Sequence, residues 1–104
     1  METSPRSLVE VDRLIHEPSR SVILAVLAAV QGADFLYLQR ETGLTKGNLS
    51  VHLSKLEEAG YIAIEKTYRG KLPMTLCRIT DEGRQAFETY RKQLKQFVEQ
   101  TGQV

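Results

Sequence analysis

Thr45, Lys46, Asn48, Ser50, His52 and Lys55 fall within one stretch, "TKGNLSVHLSK", that contains no carboxylate. Leu49 and Leu53 within it and Leu56 just after it fall at i, i+4 and i+7, one stripe of a helix, which leaves the polar and basic residues to the other face. Hydroxyls, an amide, an imidazole and two ammonium groups can hydrogen-bond and bring positive charge, the chemistry of recognising a phosphate-bearing partner rather than of bond cleavage. Acids begin only at Glu57 and Glu58. No catalytic set competes with this one. The two histidines, His16 and His52, lie far apart, no nucleophile motif occurs, and no glycine-rich phosphate loop follows a strand. A single cysteine, Cys77, excludes an internal disulfide, and no Cys/His cluster suggests a metal. The expectation is a binding protein, not an enzyme, with no cofactor.

The elements that must position these residues follow from hydrophobic period. At 104 residues, 41% hydrophobic and 26% charged, the chain is expected to form one globular domain over 1–104. "SLVEVDRLIH" places Leu8, Val11, Leu14 and Ile15 at helical spacing, predicting a short first helix. Pro18 opens a second, "SRSVILAVLAAV", apolar nearly all round and so expected to be buried, with Gly32 ending it. "DFLYLQRETG" is a short third helix between Asp34 and Gly43, and Thr45 caps the next, which stops at Ala59-Gly60. The period then changes. "YIAIEKTYR" and "MTLCRIT", separated by "GKLP", read as a β-hairpin with Arg69 and Lys71 at its tip. Thr80 or Asp81 caps a last helix to about residue 100, in which Phe87, Tyr90, Leu94 and Phe97 form a coiled-coil-like stripe. Cys77, in the second strand, is expected to be buried.

The net charge of +1 says little, but residues 44–78 hold six bases against three acids. No apolar run approaches the roughly 20 residues of a membrane span. The N-terminus has no basic region followed by an apolar stretch, so no secretory leader is expected. A cytoplasmic, nucleoid-associated location is the default reading, with no membrane partner.

A trihelical unit followed by a hairpin has the order of a winged helix-turn-helix. "GLTKGNLSVHLSKLEEAGYI", the "YRGK" hairpin tip and "ITDEG" entering the last helix, with "VDRLIHEPSRSVIL" upstream, resemble the small single-domain winged-helix transcriptional regulators related to the MarR and ArsR families, over roughly residues 11–97. The resemblance implies a mainly α fold with a small β-hairpin. Its helix-turn-helix would span about 35–59, its wing about 61–80, and its dimerisation helices would lie at the N- and C-termini. It also implies a homodimer that binds operator DNA, most simply as a repressor. Two features depart from the family. Val51 stands where MarR-type regulators often carry an arginine on the recognition helix, and the cysteine-rich metal motif of ArsR-type sensors is absent, so metal sensing is not carried over.

On that reading Gly47 and Ser50 permit close approach to double-stranded DNA, Asn48 can bond an adenine edge, and His52 a base or phosphate. Val51 can touch only a thymine methyl. Thr45, Lys46 and Lys55 suit phosphates, as do Lys66, Tyr68, Arg69 and Lys71 of the wing, with Arg69 the candidate for a minor groove. Leu8, Val11, Leu14 and Ile15 with Phe87, Tyr90, Leu94 and Phe97 are the expected dimer contacts. A small-molecule effector, of unknown identity, would have to bind between these helices and the DNA-binding unit. Two other readings stay open: a protein-interaction module in a larger assembly, and a nonspecific architectural DNA binder. Singly, each residue also has a plainer role, as a helix-start residue, a solvated face or a solubilising hairpin tip.

Overall fold

The computed structural model describes residues 5–102, so the first four residues of the stretch read for a leader lie outside it. A 3-10 helix, Pro5–Glu10, leads through a turn into α1 (Pro18–Ala28), β1 (Ala33–Asp34), α2 (Phe35–Thr42), α3 (Lys46–Glu58), β2 (Ile62–Arg69), β3 (Leu72–Ile79) and α4 (Asp81–Thr101). Among the described residues four α-helices and an antiparallel sheet of order β1-β3-β2 make a winged helix.

The first expected helix is replaced by the 3-10 segment and a turn. Asp12 marks the break: its carboxylate accepts the backbone N–H groups of Leu14 and Ile15, at 2.9 and 3.3 Å, so they do not bond carbonyls of the 3-10 segment, and a separate turn closes with His16 N–H donating to Asp12 O at 2.8 Å. Glu17 then caps α1 by accepting from Arg20 N–H at 2.8 Å. Burial pushes the Glu17 carboxyl up, but the N–H groups of Arg20 and Ser19 and the nearby His52 and Arg20 charges outweigh it and hold it below the usual range. α1 ends at Ala28, short of Gly32, and is buried on one side only, through Ile23, Leu24 and Leu27. Val22 faces solvent at 44% exposure.

The core joins these residues to Leu38, Leu49, Leu53, Leu56, Ile62 and Cys77. Val11, Ile15 and Tyr90, expected at a dimer interface, belong to it, at 6%, 0% and 5% exposure. They are packed within the protomer, where the N-terminal segment lies on α4 of its own chain. His16 reinforces that packing with an Nδ1 to Tyr90 hydroxyl contact of 2.8 Å. Burial pushes the Cys77 thiol up to about 11, with the Glu57 and Asp34 charges adding to it, so Cys77 is a core residue rather than a reactive one.

The hairpin closes on two residues, since Arg69 pairs with Leu72. Gly70 has φ 63 while Lys71 does not take positive φ, the combination a type II′ turn requires, and glycine supplies it without a Cβ penalty. β3 therefore begins earlier than expected and includes Pro73. β1 pairs only with Leu76 and Cys77, so Pro73 lies on a free edge where its missing N–H is not needed.

Tyr61, at the α3–β2 junction, donates to the Asp12 carboxylate. That hydrogen bond, then burial and the Asp12 and Glu82 charges, pushes the phenol up to about 12. Because the folded phenol keeps its proton above its ordinary value of 10, this contribution to stability is complete below pH 10 and is lost as pH rises toward 12. Tyr61→Phe is expected to cost about 1–2 kcal/mol at neutral pH. It should also remove the alkaline decline, measured by urea unfolding from about pH 8 to about pH 11.5. An unaltered decline in the variant would assign it to other groups.

Candidate nucleic-acid interface

The turn between α2 and α3 is built by local capping. Asp34 accepts from Tyr37 N–H at 2.7 Å to start α2, and Gly43 ends it at φ 72. Thr45 Oγ1 accepts from Asn48 N–H at 3.2 Å to start α3. Leu49, Leu53 and Leu56 are buried, which fixes the helix rotation. Thr45, Lys46, Gly47, Asn48, Ser50, Val51 and Lys55 are all exposed as a result. Ser54, which the sequence reading omits, lies on the same outward face; its spacing of seven from Gly47 and three from Val51 identifies it.

His52 is brought elsewhere. It is half-buried, its Nδ1 lies 3.0 Å from Arg20 NH1, and Glu17 is 3.9 Å away. A guanidinium only donates, so the Arg20 contact is a hydrogen bond with the ring neutral and Nδ1 accepting, while a protonated ring has the Glu17 carboxylate beside it instead. His52 therefore ties α3 to the start of α1, and its Nδ1 is not free for a base or phosphate.

On the hairpin Lys66, Tyr68, Arg69 and Lys71 are exposed, Tyr68 at 69%. Alternation puts Lys66 and Tyr68 on the sheet face that carries Ile62 and Ile64, and Arg69 on the opposite face. A cleft of about 460 Å³ separates the hairpin from the starts of α2 and α3. Lys46 and Ser50 of α3 border it on one side and Arg69 on the other, and Phe35, Leu36 and Met74 add apolar lining. The two basic elements thus converge, which sequence order alone does not dictate. Among the described residues Lys46, Lys55, Arg69 and Lys71 form no ion pair with an acid. No group of three metal-ligating side chains occurs among the described residues, and no helix there is long and apolar enough to cross a membrane.

The expected dimer residues Leu8, Leu14, Phe87, Leu94 and Phe97 are half-buried. Val9 and Val98, which were not anticipated, are 67% and 64% exposed near them. A groove of about 380 Å³ lined by Leu8, Val9, Val11 and Phe97 lies between the N-terminal segment and α4.

Known proteins share this fold. The uncharacterized protein MJ0432 of Methanocaldococcus jannaschii is 36% identical over 85 residues, covering 82% of this chain and 92% of its own. The solved structure of a transcriptional regulator homologue from Pyrococcus horikoshii OT3 superposes with a TM-score of 0.85 at 28% identity, over 90% of this chain and 95% of that one. A PadR family transcriptional regulator from Eggerthella lenta shares the fold, with a TM-score of 0.67 at 22% identity, over 82% of this chain and 81% of that one. Residues 20–98 match the winged helix DNA-binding domain, a binding module rather than an enzyme, and the chain belongs to that family.

Proposed function

We propose that the chain is a homodimeric, sequence-specific transcriptional regulator, acting as a repressor by occluding a promoter. α3 enters the major groove and the wing lies on the adjacent backbone or minor groove. The observation that carries this is the outward face of α3: exposed, free of carboxylate as far as Lys55, and converging with Arg69 across one cleft. Lys46 and Lys55 suit phosphates, and Asn48 and Ser50 suit base edges. The Pyrococcus homologue supports the regulatory assignment.

The second copy is proposed to cover the far end of α4. Val9 and Val98 are exposed apolar groups there, beside half-buried Leu8, Leu94 and Phe97. The molecule extends 58 Å in its long direction, and a helix of 21 residues accounts for much of that length. A two-fold dimer would present two α3 helices to half-sites about one helical turn apart.

Fluorescence anisotropy of the purified full chain tests the proposal, with the duplex upstream of its coding region and a scrambled duplex, each at low and moderate salt. Tighter binding to the upstream duplex that survives salt is the expected result. Equal, salt-sensitive binding would make the chain an architectural binder or place its operator elsewhere. Exposed Leu36 and Leu72, at 71% and 70%, beside the cleft favour a protein-docking role as the second reading. A folded chain that binds neither duplex would favour it over the first.

A further inference from the structure

α3 carries one large apolar side chain on its outward face, and among the described residues none covers its outer side. With Leu49, Leu53 and Leu56 directed inward, a step of 100° per residue puts Gly47, Val51 and Ser54 along the opposite ridge. Val51 is 53% exposed. Gly47 has no side chain, and a Cβ built there would meet nothing within 4 Å. Ser54 is short. Val51 therefore stands highest along the ridge from Gly47 to Ser54, which Glu58 continues only at the last residue of the helix, and helical side chains lean toward the N-terminus, so its isopropyl group lies over the open turn at Gly47 and Asn48. A β-branched side chain in a helix keeps one dominant rotamer, so the two methyl groups are presented in a fixed place.

Of the features that base pairs display in the major groove, the thymine C5 methyl is the apolar one. We infer that Val51 is a specificity-determining residue that packs on the C5 methyl group of one pyrimidine in each half-site; this rests on the DNA-binding reading above. The isopropyl group has neither donor nor acceptor, so it does not distinguish the O4 of thymine from the N4 of cytosine. What it distinguishes is the methyl. A 5-methylcytosine at that position offers the same contact as thymine, whereas cytosine and uracil do not, and binding becomes sensitive to cytosine methylation there. Asn48 and Ser50 on the flanks supply hydrogen bonds to neighbouring edges, which fixes the register in which the methyl is met.

The test uses duplexes enriched by the full chain from a random library. Each thymine of an enriched duplex is replaced singly by deoxyuridine, which removes the methyl and keeps the pairing. One thymine per half-site is expected to lose about four-fold in affinity, the factor that burying one methyl-sized group supplies, with little change elsewhere. At the same position 5-methylcytosine should bind about four-fold tighter than cytosine. Val51→Ala and Val51→Ser should bind the methylated and unmethylated duplexes alike. Both variants fold, because the site is exposed, and circular dichroism checks this. Enrichment with no methyl-sensitive thymine, or with Val51→Ala keeping the same sensitivity, overturns the inference and leaves the DNA-binding reading standing. Binding without enrichment overturns sequence reading and this inference together. No binding to any duplex overturns the DNA-binding reading itself, and the inference with it.

Discussion

Replacing Gly83 with alanine is expected to lower the melting temperature by about 10–20 °C, the consequence of about 2–3 kcal/mol of overpacking in a domain of this size. Gly83 is buried in the first turn of α4, where that helix crosses the α3–β2 junction. A Cβ added there would lie 2.0 Å from the carbonyl oxygen of Tyr61, 2.8 Å from its carbonyl carbon and 2.9 Å from its Cα. All three are backbone atoms, so no side chain can swing aside. The Tyr61 peptide is also held in place: its N–H donates to Leu56 at 3.0 Å, its carbonyl accepts from Thr80 N–H at 3.0 Å, and its hydroxyl donates to Asp12. α4 must therefore move. Doing so strains the bonds from Thr80 Oγ1 to Gly60 O, at 2.7 Å, and from Gly83 N–H to Thr80 Oγ1, at 2.9 Å. Gly47→Ala is the control, a helical glycine with open space around it, and should be neutral or gain about 0.5–1 kcal/mol. Thermal denaturation followed by circular dichroism decides the matter. A Gly83→Ala protein melting within about 2 °C of the parent would mean that the junction yields far more easily than native packing density permits.

Gly83 marks where sequence reading stops. The run "ITDEG" helps to identify the family, yet nothing local to it reveals that the glycine faces a carbonyl 22 residues earlier. By contrast α2 and α3 were legible nearly to the residue, because Asp34, Gly43, Thr45 and Gly60 act on backbone groups within one turn of themselves. The outward face of α3 was legible for the same reason, its rotation being set by three leucines on the same helix. Long-range partners were not. The two-residue strand Ala33–Asp34 is too short to carry a period and exists because β3 offers an edge. Helical spacing revealed the apolar stripes at Leu8–Ile15 and Phe87–Phe97, but spacing cannot say whether a stripe is covered by its own chain or by another. Here Val11, Ile15 and Tyr90 are covered by their own chain. His52 meets the same limit: the helix wheel gives the flank it occupies, not the arginine 32 residues upstream that meets it.

The wing offers the largest functional effect. Arg69→Ala with Lys71→Ala is expected to weaken binding to every duplex and to make its salt dependence shallower. Each phosphate contact contributes about 0.9 to the slope of log affinity against log salt, so two lost contacts in each of two subunits remove about 3.6 from it. At about 0.1 M salt the same four contacts are together worth about 10³-fold in affinity. The side chains are suited to this. Arg69 enters the two-residue turn and Lys71 is its second residue; both are exposed and among the described residues are paired with no acid, so no internal ion pair has to break before they reach a phosphate. Arg69 also faces Lys46 and Ser50 across the cleft, so a backbone that follows α3 passes the wing tip. Because phosphates carry no base identity, the loss should be equal on preferred and scrambled DNA, and the ratio between them should hold. Anisotropy titrations at several salt concentrations measure both quantities. An unchanged slope would take the wing off the DNA and leave α3 alone as the contact. A loss confined to the preferred duplex would instead make Arg69 a reader of groove shape, because a narrow A·T-rich minor groove concentrates the potential that draws in an arginine.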